Sequence, residues 1–240
     1  MINRWFITGD CHGDFSRFYM VQQAIPENET WGVIILGDCS VNYWLSNRDN
    51  NVKDSLRNKH PNIIFYLVRG NHETRPENLK NIKTLQDDNI KGEVYTQDRW
   101  PNIRYLIDGN EYDINDKHCL VIGGAYSVDK WYRLERKAYG QYAGWFEDEQ
   151  LNQEERDTIL QKCRGRHYDA ILAHTCPIRY QPRDLFLSCI DQSKVDNSME
   201  LWLEEVIEAC DYDAFLFGHY HDDRIIDDKA EMFYTSIKEF

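Results

Sequence analysis

Short apolar runs recur along the chain, and each is closed by glycine or a cluster of polar residues. The first lies within "FITGDCHGD" at 6–14 and stops at Gly9. Others are "VIILGD" at 33–38, "IIFYLVRGNH" at 63–72, "CLVIGGAYS" at 119–127, "AILAH" at 170–174 and "AFLFGHYH" at 214–221. Runs this short, rich in Ile, Val and Phe, predict strands covered on both faces. Helical periodicity fills some of the gaps. Phe18, Val21 and Ile25 share one face after Asp14, which predicts a helix with Asp14 as its N-cap. Met199, Leu203, Val206 and Cys210 form a second stripe, opened by Asn197 with Glu200 three residues on, the spacing of a capping box. A third, more polar helix is expected on the outside from Glu147 to Arg164. Between about Glu93 and Ile122, strand-like pieces follow one another without helices, which predicts antiparallel strands or a second sheet. No repeat, low-complexity tract or Pro/Gly-rich linker interrupts the alternation, so residues 1–240 are expected to form a single α/β domain.

Composition narrows the setting. Apolar residues make up 42% and aromatics 13%, enough for a packed core. The formal charge is −13, which disfavours gripping extended nucleic acid or an anionic membrane. Seven scattered cysteines without a Cys-x-x-Cys pair predict reduced thiols. The longest apolar stretch, "IIFYLV" at 63–68, is too short to cross a bilayer, and the N-terminus enters the first run without room for a secretory signal. A cytoplasmic protein is expected.

The polar ends of the runs carry the chemistry. Asp10 and His12 close the first, Asp38 the second, Asn71 and His72 the third, His174 a later one, and His219 and His221 the last. In open α/β sheets this edge is where ligands bind. Five of the eight histidines fall there. Residues two apart in a strand point to the same side, so Asp10 and His12 are expected to converge, as are His219 and His221 if the loop turns suitably. Imidazole, carboxylate and amide oxygen together suit Zn, Mn or Fe rather than a thiolate cluster. Cations would offset the cost of crowding these groups.

The motifs "GDCHGD", "GD" at 37–38, "GNHE" at 70–73, His174 and "GHYH" at 218–221, in this order, resemble the calcineurin-like metallophosphoesterase superfamily. Five motifs in order are far more specific than any one of them. "YLVRGNHE" at 66–73 is similar to the phosphoprotein-phosphatase branch, and other stretches to small prokaryotic or phage-type phosphoesterases. The resemblance implies a sandwich of two mixed β-sheets flanked by helices, with a binuclear site of two divalent or mixed-valence ions at the strand ends. Asp10, His12 and His221 would hold one metal, Asp38 would bridge, and Asn71, His174 and His219 would complete the second. His72 would meet the substrate phosphate and protonate the leaving oxygen. Two such ions lower the pKa of a shared water and neutralise phosphate oxygens, so a bridging hydroxide would attack phosphorus in line.

The pattern departs from the phosphoprotein phosphatases in one motif. There the second motif continues to an Asp that orients the catalytic His and an Arg that grips phosphate, whereas "GDCSVN" places Val41 and Asn42 here. The partner of His72 is therefore open. Arg69 reads as a surface charge and Arg75 as a candidate phosphate contact. In "GGAYSVDKWYR" at 123–133, Tyr126, Lys130 and Arg133 are candidates for a pocket wall, with an ordinary amphipathic helix start as the alternative. Cys11 and Cys39 read as small buried residues, and His60, His118 and His167 as ordinary core or surface histidines. The expected activity is hydrolysis of a small phosphate ester. Alternatives are a Ser/Thr or dual-specificity phosphoprotein phosphatase, a phosphodiesterase or nuclease, and a catalytically dead scaffold.

Overall fold

The computed structural model describes residues 1–240. Every apolar run forms a strand, and each strand ends just before its polar cluster. In the first half, β1 (Arg4–Thr8), α1 (Phe18–Ala24), β2 (Trp31–Leu36), α2 (Asn47–Lys59) and β3 (Ile63–Val68) alternate. Five strands follow without an intervening α-helix: β4 (Lys83–Asp87), β5 (Gly92–Thr96), β6 (Ile103–Leu106), β7 (Glu111–Ile114) and β8 (Lys117–Ile122). Then come α3 (Lys130–Ala138), α4 (Gln153–Cys163), β9 (His167–Ala173), α5 (Ser198–Ala209) and β10 (Asp211–Phe217), with β11 (Arg224–Ile225), β12 (Ala230–Met232) and β13 (Ile237–Glu239) at the end.

The strands form two mixed sheets. One has the order β13-β1-β2-β3-β6-β5-β4, the other β11-β12-β10-β9-β8-β7. β1, β2, β3 and β6 run parallel in the first, and β8, β9, β10 and β12 in the second; the outer pairings are antiparallel. Alternation along β2 explains its unbroken apolar run. Ile34 and Leu36 pack between the sheets with Val121 and Leu172, while Val33 and Ile35 face the helical side with Phe18 and Leu56. All four β2 residues are fully buried, each contributing on the order of 1.5–3 kcal/mol. On the outer face of the second sheet, Met199, Leu203 and Val206 of α5 meet Ile171, Phe215 and Phe217. Parallel neighbours within each sheet bring several strand C-termini to one edge.

Two helix starts and the cap of a third helix differ from the sequence expectation. Asp14 accepts from the Ser16 backbone N–H at 2.9 Å and makes a turn, so α1 begins later, at Phe18. The outer helix does not begin at Glu147. Asn152 and Glu155 form a reciprocal capping box that fixes the start of α4 at Gln153. No such box opens α5. Asp196, not Asn197, accepts the Ser198 N–H, and the Glu200 carboxylate turns to the Thr175 hydroxyl. α2 is a helix the periodicity missed, because Asp49 and Lys53 are buried on the side where apolar residues would be sought.

Candidate metal centre and substrate cavity

Asp10, His12, Asp38, His219 and His221 lie beyond their strands rather than in them. His12 (φ 46°), Asp38 (φ 44°), His219 (φ 71°) and His221 (φ 56°) all adopt left-handed backbone. Such conformations cost roughly 1–3 kcal/mol each and persist where surrounding structure enforces them. Convergence here comes from these turns and not from the strand alternation that the sequence pattern implied. Two of the motif glycines are needed for a different reason. A Cβ on Gly70 would sit 2.0 Å from Asp38 Oδ1, and one on Gly218 would sit 2.4 Å from Asp10 Oδ1.

The donors fall into two groups. In the first, His12 Nε2 and His221 Nε2 are 2.8 Å apart, and Asp10 Oδ2 lies 3.6 and 3.3 Å from them. That oxygen is fully buried and has no hydrogen-bond partner. Two ring nitrogens pressed together over an orphaned carboxylate oxygen fit a cation held among them. In the second, His174 Nδ1 donates to the Leu36 carbonyl at 2.8 Å, which leaves Nε2 with its lone pair. That lone pair faces Asn71 Oδ1 at 2.9 Å. The amide orientation is set by Ser127, whose hydroxyl accepts from Asn71 Nδ2 at 2.8 Å and donates to Glu149 Oε2 at 2.6 Å. Two lone pairs at this separation again fit an intervening cation. Asp38 reaches both groups: Oδ1 is 3.6 Å from His174 Nε2 and Oδ2 is 3.9 Å from His12 Nε2. The His219 ring lies 5.0 Å from the His174 ring, and its backbone N–H donates to Asp10 Oδ1.

The electrostatics suit ligation. Burial opposes a charge on Asp10, but the close His12 and His221 rings outweigh it and hold the carboxyl well below its ordinary range. Burial, the largest cause, pushes His219 down to about 3, so its ring is neutral. For His72, burial acts downward, Asp38 pulls upward and Arg133 presses downward; the net is a lowered pKa.

A cavity of about 600 Å³ opens beside these groups, lined by His72, Tyr126 and Arg133 among others. His72 Nε2 is 3.9 Å from Asp38 Oδ2 and 3.4 Å from Arg133 Nη2. Arg133 is itself held by Asp129 at 2.7 Å, the Tyr43 hydroxyl at 2.9 Å and the Gly144 carbonyl at 2.7 Å. Arg133 thus approaches the ring for which Val41 and Asn42 supply no ionised partner. Both of those residues are buried, and the Asn42 carbonyl accepts from Thr74.

Two other candidates, the phosphate contact Arg75 and the pocket-wall residue Lys130, lie elsewhere. Arg75 does not line this cavity. Its guanidinium is committed to Glu155 at 2.6 Å and to the carbonyls of Asp148 and Gln150. Lys130 does not line it either; its ammonium sits 4.6 Å from the Trp145 ring. Arg69 is no surface charge. It is 3% exposed, and its side chain ties the end of β3 to Asp108 and to the Glu149 carbonyl. Ser127 and Glu149, which orient Asn71, were missed in the sequence because neither belongs to a motif; the Gly-Gly pair ahead of Ser127 was the available signal.

The chain belongs to the calcineurin-like phosphoesterase family, whose description matches residues 4–223. It is in general terms a metal-dependent phosphoesterase by family, with Asp/His clusters able to hold metal. No curated protein sequence matches it. No helix is long and apolar enough to cross a membrane.

Proposed function

We propose that this chain is a binuclear metal-dependent phosphatase of small phosphate esters. The division of the donors into two groups that share Asp38 carries the reading. Asp10, His12 and His221 would hold one cation, and Asn71, His174 and His219 the other; the donor set suits Mn, Fe or Zn. Bound, such ions supply positive charge for phosphate oxygens and acidify water for attack on phosphorus.

The side chains of this protein do the rest. Asp38 and Asp10 keep the donors together; His174, whose Nδ1 donates to the Leu36 carbonyl, and the neutral ring of His219 leave lone pairs available. His72 borders the cavity and delivers a proton to the departing oxygen. An arriving phosphate raises its pKa against the burial and Arg133 charge that lower it in the free protein. Arg133 pairs with the phosphate while its other nitrogens remain held. Tyr126 walls the space for the organic group.

A concave cavity favours small esters over phosphopeptides, which need an open groove. With Arg133 as its one Lys or Arg lining residue, it offers no basic track for a polynucleotide. The filled donor positions and His72 argue against a dead scaffold, and seven free cysteines favour a reducing, cytoplasmic setting. Competition kinetics under one metal test the substrate class: small phosphomonoesters should exceed phosphopeptides in kcat/KM. Phosphopeptides winning by a wide margin would restore the protein-phosphatase reading.

A further inference from the structure

The Asn71 side chain is an amide, and its two ends occupy nearly the same volume. Only Oδ1 can ligate a cation; the NH2 end offers two donors. Oδ1 lies 2.9 Å from His174 Nε2, whose lone pair points to it because Nδ1 donates to the Leu36 carbonyl. Without a cation between them, the opposite orientation is the better local match, since a reversed amide would donate Nδ2 to that lone pair. The His72 nitrogens, 3.3 and 3.5 Å from Nδ2, donate or accept according to tautomer and do not decide between the two ends. Some other contact must hold the amide against the preference of His174.

Ser127 and Glu149 supply it. Asn71 Nδ2 donates to Ser127 Oγ at 2.8 Å, and Oγ donates to Glu149 Oε2 at 2.6 Å. Glu149 Oε1 accepts the Ser127 backbone N–H at 3.1 Å. The carboxylate therefore takes both donors of one residue, and when ionised it has no proton to return. With its only proton committed to Glu149, the hydroxyl meets Asn71 solely as an acceptor. The amide must then turn Nδ2 to Ser127 and Oδ1 to His174. Asn71, Ser127 and Glu149 are 1%, 1% and 3% exposed, which leaves water little access to replace any link. The backbone of Glu149 is fixed too: its carbonyl accepts from Arg69 Nη1 at 2.8 Å, and Arg69 Nε is paired with Asp108.

We infer that Glu149 is a positioning residue for the second ion: its charge sets the direction of the hydrogen-bond chain to Asn71 and so keeps Oδ1 available as a ligand. The inference rests on the binuclear reading and extends it to a residue two hydrogen bonds away from Asn71's ligating end. Glutamine at position 149 would reverse the chain. Its oxygen keeps the Ser127 N–H, its amide donates to Ser127 Oγ, the hydroxyl proton turns to Asn71, and Nδ2 turns to His174. A cation can still turn the Asn71 amide back, so affinity falls rather than vanishes. Asn71→Asp removes the choice, because either oxygen of a carboxylate can ligate. In that background the reversed chain is the one that fits, since the new carboxylate needs the hydroxyl proton that Glu149 would otherwise take.

Withdrawal of zinc from the zinc-loaded chain by a chromophoric chelator tests this without reference to hydrolysis. Burial raises the Glu149 carboxyl against the lowering effect of Ser127, so about pH 8 is used to keep it ionised. The native chain should release two ions. Glu149→Gln should weaken one by about 10–100-fold and leave the other, held by Asp10, His12 and His221, unchanged. In Asn71→Asp the same substitution should leave the second ion as tight or tighter, a reversal that a merely structural carboxylate would not produce. Unchanged affinities in Glu149→Gln, equal weakening of both ions, or the same weakening in both backgrounds would each overturn the inference. A native chain holding at most one ion removes the binuclear reading and the inference with it. Two native ions with an insensitive Glu149→Gln remove the inference alone.

Discussion

Replacing Glu200 with Gln should stabilise the protein progressively as pH rises. Glu200 is 4% exposed, its Oε2 lacks a partner, and burial raises its pKa from 4.5 to about 7. Because the folded value lies above the unfolded one, the folded state keeps the proton longer. The resulting stability is fully present below pH 4.5 and is lost as pH rises through about 7. The difference between those values corresponds to about 3 kcal/mol. Glutamine preserves the shape and an acceptor for Thr175 but cannot ionise. The pH-independent part of the substitution, an amide where a carboxyl was, shifts both ends of the profile equally. Thermal or urea unfolding from pH 4.5 to 8.5, at fixed metal concentration, isolates the titrating part. The gap between Glu200→Gln and the native chain should widen by about 3 kcal/mol, or roughly 6–12 °C in Tm for a chain of this size. A gap that stays constant, or narrows as pH rises, would refute the reasoning.

His72→Ala should retain metal and lose turnover by ~10²–10⁴-fold, with a smaller loss for an ester with a good leaving group. Equal losses for good and poor leaving groups would assign His72 to phosphate binding instead. Arg75→Met should lower stability by roughly 2 kcal/mol by breaking its contacts with Glu155 and the 148–150 backbone, yet leave KM for a small ester unchanged. A raised KM at native stability would return Arg75 to the substrate. Gly70→Ala, whose Cβ would press on Asp38 Oδ1, should weaken metal binding, read by titration with a chromophoric chelator; native affinity would show that the loop can yield.

The sequence made the strands legible because β2 and its neighbours are buried on both faces and therefore read as unbroken apolar runs. The seven residues proposed as donors stood out for a related reason: each follows such a run with a group that is expensive to bury. What could not be read was the local geometry. Asp10 and His12 look like alternating strand residues, but the left-handed backbone at His12 sets their approach. Asp14 and Asn197 carry the right chemistry for helix caps, yet Asp14 makes a turn with Ser16, and the Asn197 side chain caps no N–H of α5. Charged side chains were the hardest to place. Arg69, Arg75 and Lys130 look alike beside a candidate site, and only their fixed partners separate them from Arg133, which reaches His72. Glu200 was read as half of a capping box. Its engagement by Thr175, distant in sequence, places it in the cavity wall instead.

Metal stoichiometry is the most direct test of the binuclear reading. Elemental analysis of the protein saturated with Mn or Zn and then freed of excess ion should find two ions per chain. The same analysis on Asp38→Asn should find both sites weakened, with nearly all ester hydrolysis gone, because Asp38 faces His12 with one oxygen and His174 Nε2 with the other. At most one tightly bound ion in the native chain, or full activity in Asp38→Asn, would contradict it.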